Sequence, residues 1–134
     1  MPVYLYSTSN LIYIIGSEEK TTETLFIKAL KVSKEKKINT IYFREHPRIK
    51  YKVDFKRKFG KKYQIKFDNN DLISIRKNSL IFISYSSLLP YFLRSNFKIF
   101  LCKDSLKYEL KTKEKVEAYI GIYSSIYKNQ VKFI

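Results

Sequence analysis

The chain of 134 residues has the length of one domain, and it is 45% hydrophobic and 16% aromatic with only 3 Gly and 3 Pro. The length excludes a two-domain enzyme. Because the composition can bury a core, it excludes a disordered chain and a low-complexity chain. We expect one compact domain over residues 1–134. The apolar runs are too short for a transmembrane helix, and no secretory signal follows Met1. Cys102 is the single cysteine and cannot form an internal disulfide, which indicates a reducing, cytoplasmic setting.

Lysine and arginine outnumber aspartate and glutamate by 27 to 12, which gives a formal net charge of +15. This excess favours an anionic partner. Nucleic acid, a nucleotide sugar, an acidic polysaccharide and peripheral contact with the inner face of an anionic membrane all satisfy it. An alternative needs no partner, because the codon bias of AT-rich genomes enriches Lys together with Ile, Asn, Tyr and Phe. The charge by itself does not choose between these interpretations.

Short apolar runs recur along the chain and are typical of buried strands. They cover residues 11–15, 40–43, 63–67, 80–83, 97–101 and 131–134. Between the first two runs, apolar residues at helical spacing predict an amphipathic helix over residues 18–37. Its first residue is uncertain from sequence, because Ser17, Thr21 and Thr22 are all suitable caps. The chain therefore begins as a strand-helix-strand unit.

A short basic helix is predicted next, since Tyr51, Phe55 and Phe59 fall four residues apart. Gly60 ends it, in the C′ position. After a polar turn, residues 71–77 predict about two further helical turns. These helices lie between the second and third strands and between the third and fourth strands.

Two more helices complete the pattern. One begins near Ser86 and tolerates Pro90 only in its first turn, and the other covers residues 112–128. Regular alternation of strands and helices predicts a Rossmann-like, doubly wound α/β domain whose mostly parallel sheet has about five to six strands. In such sheets ligands bind at the carboxyl ends of the strands, in the loops that enter the helices.

The loop after the second strand carries the only histidine, His46, between Arg44 and Arg48, with Pro47 restricting the backbone. A lone histidine in a loop is often no more than a solvated polar residue. At the end of a parallel strand, however, its ring can donate a hydrogen bond to phosphate while the two guanidinium groups supply charge. We therefore favour a ligand-binding role for this loop.

The loop after the fourth strand carries Ser84, Ser86 and Ser87. Hydroxyl groups and backbone N–H groups at a helix start can converge on one anion and form a phosphate-binding site. Ordinary helix capping explains the same serines without a ligand. If the two strands are neighbours in the sheet, the serines and His46 face one pocket.

Residues 44–66 form a basic segment with ten Lys/Arg and two acidic residues. Aromatic residues are interleaved with these charges, namely Tyr51, Phe55, Phe59 and Tyr63. Phosphate contacts and base stacking by residues 50–66 would make the chain a basic, non-enzymatic nucleic-acid-binding protein. The helical spacing of the aromatics favours core packing beneath a solvated basic face instead.

Several common signatures are missing. One His and one Cys cannot form a standard zinc site, and no GxGxxG or Walker A motif occurs. A Ser-His-Asp triad is not excluded by residue type, although no GxSxG elbow occurs. We predict no metal and no cofactor. Asp68 and Asp71 are the acidic residues nearest to the predicted site in sequence, and a turn or helix-cap role explains them.

Two motifs carry a family resemblance: Ile-Tyr-Phe-Arg-Glu-His-Pro-Arg at residues 41–48 and Ile-Ser-Tyr-Ser-Ser at residues 83–87. They resemble the HP and serine-pair motifs of bacterial sialyltransferases and polysialyltransferases, which have the B-type glycosyltransferase fold with two Rossmann-like halves. The resemblance covers residues 11–102 and corresponds to the nucleotide-binding C-terminal half. It implies a CMP-sugar donor, CMP-sialic acid, and a glycan acceptor. It also implies that His46, Ser86 and Ser87 hold the donor phosphate and that His46 stabilises the departing CMP.

The resemblance also implies that catalysis by this chain is incomplete. The family's general base belongs to an acidic motif of the N-terminal half, and no such motif occurs in this sequence; Glu18-Glu19 follows Gly16, in the wrong order. We therefore expect docking of an N-terminal half, or self-association, through an exposed face. The apolar residues after the serine motif either form this face or pack as ordinary core; they are Tyr85, Leu88, Leu89 and Tyr91.

Overall fold

The computed structural model describes residues 10–104 and 106–134. The strands in this part of the chain are β1 (Leu11–Ile15), β2 (Thr40–Arg44), β3 (Gln64–Phe67), β4 (Ser79–Ile83), β5 (Lys98–Leu101) and β6 (Val131–Phe133). They form one sheet in the order β3-β2-β1-β4-β5-β6, and every neighbouring pair is parallel. This is the strand order of a doubly wound, Rossmann-like domain. The predicted fold class is confirmed.

Helices connect the strands and cover both faces of the sheet. They are α1 (Glu19–Lys36), α2 (Phe55–Phe59), α3 (Leu89–Arg94), α4 (Leu106–Leu110) and α5 (Lys113–Ile126), with a 3-10 turn at Leu72–Ser74. None of the helices within residues 10–104 and 106–134 is long and apolar enough to cross a bilayer. The crossover connections that parallel strands require contain α-helices, except that the connection from β3 to β4 contains only the 3-10 turn.

Alternate residues of the central strand β1 supply two separate cores. Ile12 and Ile14 pack with α1 and α2 on one face, whereas Tyr13 and Ile15 pack with α3 and α5 on the other. Because both faces are buried, the strand reads as a continuous apolar run. This is why residues 11–15 were recognisable as a strand from sequence.

The first core is centred on the Phe26 ring in α1. It stacks on Phe55 and on Phe59, each at 5.2 Å between ring centroids, and meets the edge of Phe43 at 5.0 Å. The aromatic residues of the basic helix therefore point inward, as their helical spacing predicted. Such ring pairs contribute roughly 0.5–1.5 kcal/mol each beyond the burial of their area.

The predictions for residues 71–77 and for Gly60 were wrong, and one helix was missed. Residues 71–77 form only the single 3-10 turn, where the Ser74 hydroxyl donates to the Asp71 carbonyl at 2.7 Å, a side-chain bond that competes with helix propagation. Gly60 has a φ of −86°, so it is not a left-handed C′ residue. A Cβ there would lie 2.1 Å from the Lys56 carbonyl oxygen, so close backbone approach is what favours glycine. Helix α4 was not predicted at all.

Candidate functional site

An open cavity of about 660 Å³ lies at the carboxyl ends of β1, β2 and β4. Its lining residues are Ile15, Gly16, Ser17, Glu18, Arg44, Glu45, His46, Pro47, Arg48, Ile49, Ser84, Tyr85, Ser86, Ser87, Leu88 and Glu109. The cavity therefore contains both loops that the sequence singled out. Their strands are not neighbours, because β1 lies between β2 and β4. The loops meet at the point where the strand order reverses, which is where open α/β sheets bind ligands.

The close approach of the loops depends on Gly16 at the end of β1. Its N–H donates to the Arg44 carbonyl at 2.7 Å, and a Cβ at this position would lie 2.7 Å from that oxygen and 2.7 Å from the Tyr51 hydroxyl. Real Cβ atoms do not approach other atoms so closely. Lack of a side chain, rather than an unusual φ, is the property that this position requires.

His46 lies in a tight turn that defines which ring nitrogen carries the proton. Its carbonyl accepts the Ile49 N–H at 3.2 Å, with Pro47 at the second turn position that proline favours. Its ring Nδ1 accepts the Arg48 N–H at 3.1 Å. An accepting Nδ1 is unprotonated, so Nε2 carries the hydrogen of the neutral ring. His46 is thereby prepared as a hydrogen-bond donor at the cavity wall.

Tyr51 joins the histidine loop to the start of α1. Its hydroxyl donates to the Ser17 carbonyl at 2.7 Å and accepts the His46 N–H at 3.3 Å. Burial raises the pKa of Tyr51, which keeps the hydroxyl protonated as a donor, while the His46 N–H acts in the opposite direction. The sequence assigned Tyr51 to a helix, but α2 begins only at Phe55. Its bridging role was missed because hydroxyl partners cannot be read from periodicity.

A second contact anchors the same loop. The Glu19 carboxylate, in the first turn of α1, accepts the backbone N–H groups of Lys52 and Val53, the latter at 3.2 Å. Residues 51–53 of the loop are thus bonded both to Ser17 and to the first turn of α1. Hydrogen bonds to a charged carboxylate are stronger than neutral ones. The position of His46 is consequently set by two neighbouring elements rather than by its own loop alone.

Replacing Tyr51 by Phe is expected to lower the free energy of unfolding by about 1–3 kcal/mol, because Ser17 and His46 each lose a hydrogen-bond partner while the ring packing stays. Urea denaturation measures this change. Tyr108→Phe is a control at an exposed tyrosine outside the cavity and should leave stability unchanged. Equal stability of both variants would show that the hydroxyl bridge contributes nothing.

The serine loop is locally capped. Ser86 Oγ accepts the Leu88 N–H at 3.1 Å, and the Ser86 carbonyl accepts the Leu89 N–H at 3.2 Å. Helix α3 begins at Leu89, later than predicted, with Pro90 in its first turn as expected. These two N–H groups are already bonded within the loop, so they are not free to bind a ligand in this arrangement. Ser86 and Ser87 line the cavity, and Ser84 is 1% exposed at its base.

The two arginines of the histidine loop differ in their surroundings. The Arg44 guanidinium donates to the Asn70 carbonyl. Nearby, the Tyr13 hydroxyl donates to the Asp68 carboxylate at 2.8 Å. Burial raises the pKa of Tyr13, and the nearby Arg44 opposes that shift. Arg44 is thus engaged toward β3, whereas the Arg48 side chain is exposed at the cavity.

Three glutamates at the cavity were missed from sequence: Glu18, Glu45 and Glu109. Partial burial, and secondly the Glu18 carboxylate, raise the pKa of Glu109. Glu18 lies in the loop after β1, three residues beyond the strand end, so the strand-end rule could have found it, whereas Glu109 lies on the unpredicted helix α4. With three glutamates beside two arginines, the cavity does not concentrate the positive charge of the chain.

The predicted docking face is mostly core. Leu89 is 2% exposed, and Leu88 and Tyr91 pack partly buried against the second core. Tyr85 is different, since 47% of it is exposed. The four residues therefore do not form a continuous apolar patch.

Asp68 has the turn role that the sequence predicted, because its Oδ1 accepts the Asn70 N–H at 3.1 Å. It does not line the cavity. Across residues 10–104 and 106–134, no cluster of His, Cys, Asp and Glu is suited to hold a metal ion.

No protein-family model, curated protein or solved structure matches this chain. The likeness to sialyltransferases thus depends on the two short motifs and on nothing wider. Their spatial arrangement adds an observation independent of that likeness: both motif loops line one cavity at the switch point of the sheet.

Proposed function

We propose that this domain is the donor-binding half of a sialyltransferase-like glycosyltransferase and binds a CMP-sugar in the cavity. The observation that carries the proposal is that the His46 loop and the Ser86-Ser87 loop, far apart in sequence, line the same cavity. Ligand sites of doubly wound domains occur at this end of the sheet. A volume of about 660 Å³ lies within the usual range of small-molecule sites, roughly 300–1,000 Å³.

We assign the phosphate to the hydrogen-bond donors that the two loops bring to the cavity. The His46 Nε2–H, the Arg48 guanidinium and the hydroxyls of Ser86 and Ser87 would all donate to its oxygens. Negative charge grows on this phosphate as CMP departs from the sugar. Donors that are already in place lower the barrier to departure, because they need no reorganisation during the reaction. Pro47 contributes by restricting the turn that holds His46.

The glutamates suit the hydroxyl groups of the same ligand. Glu18 and Glu109 present carboxylate oxygens, which accept hydrogen bonds from ribose or sugar hydroxyls. A cavity with both phosphate donors and carboxylates fits a sugar nucleotide better than a bare polyanion. By the resemblance, the base that activates the glycan acceptor belongs to a separate N-terminal half. Sugar transfer is therefore proposed to require that half.

Nucleic acid is the competing ligand class, and it would use a different surface. Residues 50–66 hold eight Lys/Arg and one acidic residue, yet none of them lines the cavity. The aromatic residues among them pack in or against the first core. They are not available as stacking platforms for successive bases. The cavity and the basic segment can therefore be tested separately.

Titration with CMP and with a short single-stranded oligonucleotide, each at two salt concentrations, tests the proposal. We expect saturable CMP binding with a shallow salt dependence, since only one phosphate group is contacted. The alternative function predicts oligonucleotide binding that falls steeply with salt, without CMP binding. That second pattern would refute the proposed function.

A further inference from the structure

Tyr85 is the one tyrosine or phenylalanine among the residues described as lining the cavity. It is the second residue after β4, between Ser84 and Ser86, and is 47% exposed. Its place in the cavity wall, beside the hydroxyl groups proposed to hold phosphate, puts an aromatic side chain next to the proposed phosphate position.

The ring of Tyr85 packs against the first of three tyrosines that follow one another along α5 and at its end. It contacts Tyr119 at 5.7 Å between centroids, Tyr119 contacts Tyr123 at 4.6 Å, and Tyr123 contacts Tyr127 at 5.4 Å. The last three pack against the second core. With this contact made, Tyr85 is still 47% exposed and lines the cavity. The ring is thus partly ordered before any ligand binds, which reduces the entropy cost of stacking.

We propose that Tyr85 is the stacking platform for the nucleobase of the bound nucleotide. This inference rests on the proposed function, because it assumes that the phosphate lies at the His46 and serine loops. Tyrosine stacks on any base, so the platform supplies affinity, and the base identity is read by other groups. The platform distinguishes a nucleotide from a simple sugar phosphate, because a sugar phosphate has no base to stack on the Tyr85 ring.

The test compares two ligands, CMP and ribose 5-phosphate, which share a phosphorylated ribose and differ in the base. We expect the wild-type domain to bind CMP at least about tenfold more tightly than ribose 5-phosphate, because stacking favours the base. Tyr85→Leu should remove most of this difference and leave ribose 5-phosphate binding unchanged, whereas Tyr85→Phe should keep it. Tyr108→Leu is a matched control, since Tyr108 is 48% exposed and outside the cavity.

Each other outcome has a defined meaning. Equal wild-type affinities for the two ligands would overturn the stacking platform while leaving a phosphate site. Equal losses of both ligands in Tyr85→Leu would show a structural role in the serine loop, which also overturns it. Binding of neither ligand by the wild-type domain would refute the proposed function and the platform together. A loss of CMP affinity in Tyr108→Leu as large as in Tyr85→Leu would show that the effect is not local.

Discussion

His46→Asn is expected to weaken CMP binding by at least about tenfold, because a hydrogen bond to a charged phosphate contributes roughly 1.5–3 kcal/mol. The substitution is chosen for the turn in which His46 lies. An asparagine oxygen can accept the N–H two residues along the chain, so it can replace Nδ1 as the partner of the Arg48 N–H. What it removes is the ring and its Nε2–H donor. Calorimetric titration with CMP gives the change in affinity.

Two controls separate a ligand role from a folding role. The free energy of unfolding of His46→Asn, measured by urea denaturation, should stay within about 0.5 kcal/mol of wild type, as for surface changes that keep local bonds. Lys62→Ala removes a positive charge from the basic segment and should leave CMP affinity unchanged, since Lys62 does not line the cavity. Unaltered CMP binding by His46→Asn would contradict the phosphate role. The lone histidine would then be the solvated polar residue that sequence offered as the alternative.

Gly16→Ala is expected to destabilise the domain by about 1–3 kcal/mol, the usual cost of inserting a methyl group into a packed site. The new Cβ would stand 2.7 Å from both the Arg44 carbonyl oxygen and the Tyr51 hydroxyl. Relief requires the end of β2 or the Tyr51 ring to move, and both movements displace the His46 loop. CMP affinity should fall together with stability. Urea denaturation and titration on the same preparation measure the two effects.

Gly121→Ala is the matched control for this prediction. A Cβ at Gly121, on the exposed side of α5, meets no atom within 4 Å. Because alanine is the better helix former, this variant should gain roughly 0.5–1 kcal/mol. If Gly16→Ala were as stable as wild type and bound CMP normally, Gly16 would not be in tight contact with the Arg44 carbonyl and the Tyr51 hydroxyl.

The strands were predictable from sequence because burial on both faces leaves a local signature. Residues 11–15, for example, are apolar throughout and match β1. Helix α1 was equally clear, since its eighteen residues show a full amphipathic pattern. Helix α4 was not, because Leu106–Leu110 completes little more than one turn and shows no reliable period. At Asp71 and Ser74, side-chain hydrogen bonding outweighed the helical pattern.

The candidate site was predictable in part. The rule that ligands bind at strand ends located the loops of His46 and of the serines without any knowledge of contacts. It did not reveal Glu109, which reaches the cavity from a helix that the sequence left unassigned. Nor did it reveal the Tyr51 bridge, because the Tyr51 hydroxyl joins His46 to Ser17, which is distant in sequence.

The sequence by itself determined the alternation of strands and helices, and with it the doubly wound class and the loops in which to look for a ligand. These follow from residue periodicity and from the handedness of crossovers, both of which act over short stretches of chain. Only the tertiary structure decided that β1 lies between β2 and β4, that Gly16 lets their loops meet, and that glutamates share the cavity with arginines. The reason is physical. Contacts across a sheet depend on where each crossover places the next strand, and the residue periodicity within an element does not determine that position.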